Sequence, residues 1–232
     1  MDRALRNSSQ KKREAMVEAA TRLFLEYGFE GVSMDTIAEQ ANVSKRTLYN
    51  HFNDKYALFE AVMALLCESV LPWPWQPAGL KRGEVRATLE KLGVAFLGSI
   101  YAPIQIELYR TVAHDTRRFP QLGLMLLDGP IQRSHKLVSE YLQAWQAAGE
   151  VDVPDPDLAA AQFLGMLKAD VQMKLLFDAR RKISPAEIRR LAQAAVELFL
   201  NGASPKDRSS AAGSKKGRPP SGTRRNGRKL LT

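Results

Sequence analysis

The residues whose types and spacing could do chemistry lie between Gly28 and Phe59, and they suit hydrogen bonding to phosphate and to base edges. Ser33 and Ser44 each precede a short helical pattern, where a serine hydroxyl can accept a hydrogen bond from an unpaired first-turn amide. Lys45 and Arg46 follow Ser44 directly, so the second short helix begins with two cations. Cations at a helix start can contact phosphates, and an arginine can donate two parallel hydrogen bonds to guanine.

Two short helices joined by a tight turn must position these side chains. Apolar residues at three- and four-residue spacing give the first helix one buried face; they are Met34, Ile37, Ala38 and Ala41. Asn42 supplies a residue that accepts the left-handed backbone such a turn needs. The next helix runs from Lys45 to about His51, and in a helix-turn-helix this second helix lies in the major groove. Spacing alone would favour a helical hairpin with no role on DNA.

The segment resembles the DNA-binding domain of TetR-family transcriptional regulators. The resemblance covers roughly residues 10–65 and rests on the runs Met34–Ala38, Ala41–Phe52 and Asp54–Phe59. Asn42 departs from the family, which more often has glycine there. The resemblance implies DNA binding through these residues: Ser33, Thr36, Ser44, Lys45, Arg46, Thr47, Tyr49, Asn50, His51 and Lys55.

Within that set the side chains have different expected roles. Arg46 is the best candidate for reading a base, since it lies in the first turn of the recognition helix. Thr47 could touch a thymine methyl group or a phosphate. The hydroxyl groups of Ser33 and Thr36, at the preceding helix, would add further contacts to the DNA. Phosphate contacts are expected, by the family pattern, from Lys45, Tyr49, His51 and Lys55.

The positive charge of the chain is concentrated at its C-terminus. The net charge of +9 arises from 34 Lys and Arg against 25 Asp and Glu. Residues 204–232 hold nine of the basic residues and one acidic residue, so the rest of the chain is nearly neutral. Attraction to phosphate in the folded part must therefore come from local placement, at Lys11, Lys12 and Arg13 and at the second short helix.

The sequence predicts an all-α protein in three parts, with no alternating strand pattern and no repeat. Residues 1–70 form the helix-turn-helix domain, 71–203 a helical effector-binding and dimerisation domain, and 204–232 a disordered basic tail. Three prolines between residues 71 and 77 mark the connection, because they cannot lie inside a helix. Beyond the two short helices, we predict helices over about 10–27, 54–70, 83–101, 103–115, 121–148, 156–181 and 185–201.

The sequence carries no signal for a membrane, an oxidising compartment or a metal site. No apolar run reaches the length of about 18 residues that a bilayer requires, and the charged N-terminus is unlike a signal peptide. Cys67 is the single cysteine, so an intramolecular disulfide is excluded. We expect a cytoplasmic protein with no cofactor, no metal and no membrane partner.

An enzymatic reading is not supported by the sequence. His51, His114 and His135 lie at no metal-binding spacing. No glycine-rich phosphate loop and no nucleophile motif occurs in the chain. We therefore expect a binding protein.

The second domain resembles the C-terminal domain of AefR-like members of the TetR family, over about residues 100–180. Members of that group are generally dimeric repressors, many tied to small-molecule responses, so an effector pocket is expected. Large or polar-tipped side chains are the candidates for its lining: Trp73, Trp75, Phe96, Tyr101, Tyr109, His114, Met125, Phe163, Met166 and Met173. For each of these residues taken alone, packing in the core is a commoner role than lining a pocket.

The last two predicted helices have broad apolar faces that suit dimerisation. Leu158–Phe177 is apolar on nearly every side, and Ile188–Leu200 carries a wide apolar stripe. With the family resemblance, this predicts a homodimer that binds a near-palindromic DNA operator. We expect a repressor released by a small apolar or amphipathic ligand; an activator and a ligand-blind architectural DNA binder are the alternatives.

The tail contains a Gly-Arg-Pro core around Arg218, within Lys215–Pro220. Such a core can lie in a narrow A·T minor groove, whereas the charge alone would attract any phosphate backbone, and a solubilising end is the third possibility. Both DNA roles predict that deleting residues 204–232 lowers DNA affinity and flattens its salt dependence. A minor-groove hook alone predicts that Arg218→Ala abolishes a preference for A·T-rich flanks. Unchanged affinity at low salt after deletion would remove both roles.

Overall fold

The computed structural model describes residues 2–68, 83–178 and 180–201, and every regular element among them is helical. The all-α prediction is confirmed. In chain order the helices are α1 (Asp2–Tyr27), α2 (Met34–Gln40), α3 (Lys45–His51), α4 (Lys55–Glu68), α5 (Val85–Ile100), α6 (Pro103–Asp115), α7 (Pro120–Leu126), a π-helical turn (Leu127–Ile131), α8 (Gln132–Ala147), α9 (Pro156–Lys168), α10 (Val171–Phe177) and α11 (Pro185–Asn201).

An aromatic cluster holds α1 and α4 together behind the two short helices. The rings of Phe24, Phe29 and Phe59 are fully buried and their centres lie 5.3 to 5.5 Å apart. Each such pair adds about 0.5–1.5 kcal/mol beyond the burial of its area. Leu48 of α3 is also fully buried, which fixes the face that the recognition helix turns toward solvent.

In the second half of the chain, α5 packs closely against α9 and α11. The closest approach is at Gly93, where an added Cβ atom would lie 2.8 Å from Leu167 and 3.1 Å from Ala192. Trp145 of α8 is buried, and its ring centre lies 5.3 Å from that of Tyr141. No single described helix is long and apolar enough to span a membrane. Helices α5 and α6 reach that length and apolar character only when they are taken together, as a pair bent by 63°.

Several predicted helix boundaries were wrong. The helix predicted over 121–148 is divided into α7 and α8 by the π-helical turn, which contains Pro130. The helix predicted over 156–181 ends at Lys168, because Ala169 takes a φ of +44°. A proline has no amide hydrogen to continue the ladder, and a positive φ cannot continue a right-handed helix.

The first helix is longer than predicted, since α1 already begins at Asp2. The proline-rich connection at 71–77 and the tail at 204–232, including Arg218, lie outside the described residues. The predictions made for them, together with the domain boundaries at 70 and 203, stay predictions.

Candidate nucleic-acid interface and effector cavity

Serine caps begin both helices of the helix-turn-helix. The Ser33 hydroxyl accepts a hydrogen bond from the Thr36 amide at 3.0 Å, and Ser44 accepts one from Thr47 at 3.1 Å. In each pair the two side-chain oxygens also lie 2.8 Å apart. Asn42 has a φ of +52°, which confirms the left-handed turn between the helices. The polar start of the recognition helix is therefore built by local hydrogen bonds.

The outward face of α3 carries the side chains that could meet DNA. Arg46, Tyr49 and Asn50 are exposed, with 44% of Tyr49 accessible. His51 is half-buried beside Phe52, whose ring centre is 6.4 Å away. A rigid helix with an exposed arginine in its first turn is the geometry that major-groove readout requires.

Lys45 is held by a partner that the sequence reading did not identify. Its ammonium group lies 2.8 Å from the carboxylate of Asp35 on α2, and both side chains are mostly exposed. The hydrogen bond and the charge of Asp35 raise the pKa of Lys45. Because exposed ion pairs contribute little, a phosphate can compete for this lysine.

Lys55 has a different environment from the one predicted. Its ammonium group donates to the carbonyl oxygens of Phe29 at 2.7 Å and Val32 at 2.8 Å, and it lies 4.4 Å from the Phe29 ring centre. Burial lowers the pKa of Lys55, although the nearby charges of Asp115 and Glu30 oppose that shift. The sequence could not anticipate this, because the carbonyl groups come from 26 and 23 positions earlier. In this arrangement Lys55 fixes the loop after α1, and its phosphate contact stays a prediction.

The start of α1 adds positive charge beside the turn of the helix-turn-helix. Lys11 and Lys12 line an open groove against Ala41–Val43. Arg13, in contrast, lies over the Phe52 ring, with its guanidinium carbon 5.2 Å from the ring centre. The two lysines are therefore the free phosphate candidates of this segment.

A small cavity lies among helices α5 to α10 and the π-helical turn, and we call it the inner cavity. It has about 50 Å³ of free space. Its lining consists of Phe96, Ile100, Gln105, Tyr109, Leu126, Pro130, Ile131, Ser134, His135, Leu164, Lys168 and Gln172. Since drug-sized ligands need about 300–1,000 Å³, a bound effector must widen this space.

A larger open space, the outer groove, lies on the other side of the π-helical turn. It has about 470 Å³ of free space. Its lining consists of Glu60, Met63, Ala64, Gln121, Leu124, Met125, Asp128, Gly129, Pro130 and Arg133. Pro130 borders both spaces, so the π-helical turn separates them.

The predicted ligand-binding residues divide between these surroundings. Tyr109 lines the inner cavity and Met125 the outer groove. Tyr101 is buried, and its hydroxyl donates to the Lys168 carbonyl at 2.7 Å. Burial raises the pKa of Tyr101, which keeps that donor protonated.

Five of the candidates whose positions are described line neither space: Tyr101, His114, Phe163, Met166 and Met173. Phe163 is fully buried against Phe199, and Met166 packs on the core. His114 is 84% exposed at the end of α6 and lies 2.8 Å from Asp115. Trp73 lies outside the described residues. Residue size and polarity suggested these positions, but the faces of α6 and α9 decide which residues reach the cavity.

A capped helix-turn-helix followed by further packed helices is the architecture of a DNA-binding transcriptional regulator. The model "Bacterial regulatory proteins, tetR family" matches residues 16–62, and "AefR-like transcriptional repressor, C-terminal domain" matches 87–202. The chain belongs to the TetR family, whose members are transcriptional regulators and not enzymes. Members of the family typically bind operators as dimers.

Individual relatives agree with this assignment over most of the chain. A TetR-family regulator from Mesorhizobium loti has a TM-score of 0.73 and 28% identity, covering 83% of this chain and 96% of that one. The flavonoid-responsive regulator FrrA has a TM-score of 0.69 and 29% identity, covering 82% and 96%. The uncharacterised regulator YhgD of Bacillus subtilis is 22% identical, covering 82% of this chain and 94% of its own.

Proposed function

We propose that this chain is a homodimeric repressor that binds a near-palindromic operator and leaves it when a small apolar or amphipathic ligand occupies the second domain. Repression is favoured because the matching C-terminal model describes transcriptional repressors. The N-terminal domain does not distinguish the two modes of action. It matches both the activator FasR of Mycolicibacterium smegmatis and the negative regulator IcaR of Staphylococcus aureus.

Dimerisation through α9 and α11 is supported by apolar side chains that the single chain leaves exposed. Leu158 of α9 is 55% exposed and Leu198 of α11 is 46% exposed. These helices pack on each other, and we place the face that a second copy covers on this pair. A two-fold axis at this face would place two copies of α3 against successive major grooves, about 34–36 Å apart.

One helix carries the proposed response to ligand, because α6 touches both the inner cavity and the DNA-binding domain. Gln105 and Tyr109 of α6 line the cavity. At its other end the buried carboxylate of Asp115 accepts a hydrogen bond from the Phe29 amide at 2.6 Å. Phe119, just beyond α6, places its ring centre 5.1 Å from that of Phe29.

This arrangement gives a physical route from ligand to operator. A ligand that widens the inner cavity must displace its walls, and α6 is one of them. Displacement of α6 moves the C-terminal end of α1, and the helix-turn-helix moves with it. The ligand then favours a spacing of the two recognition helices that does not fit the operator. Linkage requires that operator binding weakens ligand binding by the same factor.

The whole proposal is tested by isolating an operator and then seeking its release. Selection of bound oligonucleotides should yield a near-palindrome whose half-site centres lie one turn of B-DNA apart. Small molecules are then screened by thermal shift with and without that operator. An inducer stabilises the free protein more than the complex, whereas a ligand that stabilises both equally is a bystander. Failure to enrich any sequence would contradict operator-specific binding.

Removal of the Asp115 carboxylate should both destabilise the protein and weaken the response to ligand. Asp115→Ala leaves the Phe29 amide without its acceptor, at a cost of about 1–3 kcal/mol in the free energy of unfolding. It also removes a charge near Lys55. Denaturant unfolding measures the first effect. The ratio of operator affinities with and without inducer measures the second.

The matched control is Asp152→Ala, which removes an exposed carboxylate from the loop before α9. This control should change neither quantity. An Asp115→Ala protein with normal stability and a normal induction ratio would show that α6 does not couple the two domains through this hydrogen bond.

A further inference from the structure

Among the described residues, the cation that lines the inner cavity has no matching anion. Lys168, the last residue of α9, is half-buried and lines the cavity. In the part of the chain that the structure describes, none of the salt bridges includes it. The nearby Asp170 is taken by Lys174. The described lining of the cavity contains no Asp or Glu.

A second basic side chain shares this cavity. His135 of α8 lines it, and the charge of Lys168 adds to burial in lowering the pKa of His135. Burial also lowers the pKa of Lys168 itself. Both shifts have the sign expected of bases in an apolar space that lacks a negative partner. A bound anion would act in the opposite direction and raise the pKa of each group.

The remaining polar side chains in the cavity lining either already make a hydrogen bond or can donate one to a ligand. The Ser134 hydroxyl donates to the Pro130 carbonyl at 2.8 Å, and the Gln105 amide donates to the Leu66 carbonyl. Gln172 lies on the same lining and carries an amide. The other lining residues are apolar or aromatic. This is an apolar pocket with a cationic end.

We propose that the inner cavity binds an organic acid, with its carboxylate on Lys168 and its apolar body directed past Pro130 toward the outer groove. This inference deepens the proposed function, since it names the chemical class of the effector. The carboxylate supplies the missing charge for Lys168. Because the inner cavity alone is too small, the body of the ligand must displace the π-helical turn that divides it from the outer groove.

The π-helical turn suits such a displacement. It lies between α7 and α8 and contains adjacent Gly129 and Pro130. Proline removes one backbone donor, and glycine permits backbone angles that other residues resist. Turns of this type within helices often lie at functional sites.

The test uses the full-length protein and two probes with the same ten-carbon chain, decanoate with an anionic carboxylate head and 1-decanol with a neutral hydroxyl. Binding is measured by calorimetry at neutral pH and constant salt. We expect decanoate to bind at least about tenfold more tightly, since a hydrogen bond to a charged group contributes more than a neutral one. Lys168→Met removes the ammonium group and keeps an unbranched apolar side chain that is one atom shorter. It should abolish the preference while 1-decanol still binds.

The matched control is Lys136→Met, which removes an exposed lysine from α8 and should leave the preference intact. Three results would overturn the inference: equal binding of the two probes, a preference that persists in Lys168→Met, or no binding of decanoate up to its solubility limit.

Operator release is measured separately, by fluorescence anisotropy with the same two probes. Preferential binding of decanoate that depends on Lys168 but leaves the operator complex intact supports the acid site and contradicts ligand-driven release. Release by both probes with equal affinity supports the proposed function and overturns the acid site. The two proposals can therefore fail independently.

Discussion

Leu198→Glu should yield a monomer that folds normally. Leu198 is an exposed residue of α11, so the charge is solvated in a single chain. In the proposed dimer the same charge would be buried without a partner, which is strongly unfavourable. Light scattering and circular dichroism would report the mass and the retained helix content.

Loss of the dimer should lower the affinity for the operator more than loss of any single protein–DNA contact does. Two linked reading heads exceed the affinity of one by about 10²–10⁴-fold, so Leu198→Glu should weaken operator binding by that order. The matched control is Leu124→Glu, which places the same charge at an exposed leucine of α7. A Leu198→Glu protein that is still dimeric would move the interface away from the α9–α11 face.

Phe199 also belongs to the apolar stripe of the last helix, but replacing it with a charge is a less suitable test of the dimer interface. Its ring centre lies 5.1 Å from that of Phe163 in the same chain, and the side chain is half-buried there. Phe199→Glu would therefore damage the packing of α9 on α11 before any dimer forms. A monomeric result for that variant would leave the location of the interface open.

The helix-turn-helix could be predicted from sequence because its determinants are local. Each serine cap bonds to an amide three residues later, and the left-handed turn depends on the single residue Asn42. Local hydrogen bonds and backbone preferences are written in adjacent residue types. The resemblance to the TetR family covers the same segment.

The interactions that sequence reasoning missed are those between distant positions. Lys45 meets Asp35 across the turn, and Lys55 meets carbonyl groups of the loop after α1. Neither contact has a periodic signal. The lining of the inner cavity comes from six helices and the π-helical turn, so it depends on how those helices rotate. Pro130 was the available signal for the break between α7 and α8, since a proline seldom lies within a helix.

Arg46 should provide most of the base discrimination of the recognition helix. It is exposed in the first turn of α3, whereas neighbouring Lys45 is paired with Asp35. Arg46→Ala should cost about 1–3 kcal/mol on the operator, a loss of roughly 5- to 150-fold, and much less on random DNA. Fluorescence anisotropy on both DNAs at one salt concentration measures the difference.

Arg46→Lys separates the shape of the side chain from its charge. Lysine keeps the attraction to phosphate but lacks the planar fork that matches guanine O6 and N7. If Arg46 reads a base, the lysine variant should bind random DNA normally and still lose operator affinity. Arg189→Ala, at an exposed position of α11, controls for the loss of one positive charge. Equal losses on operator and random DNA in Arg46→Ala, with full recovery in Arg46→Lys, would make Arg46 a phosphate contact and leave base readout to Thr47, Tyr49 or Asn50.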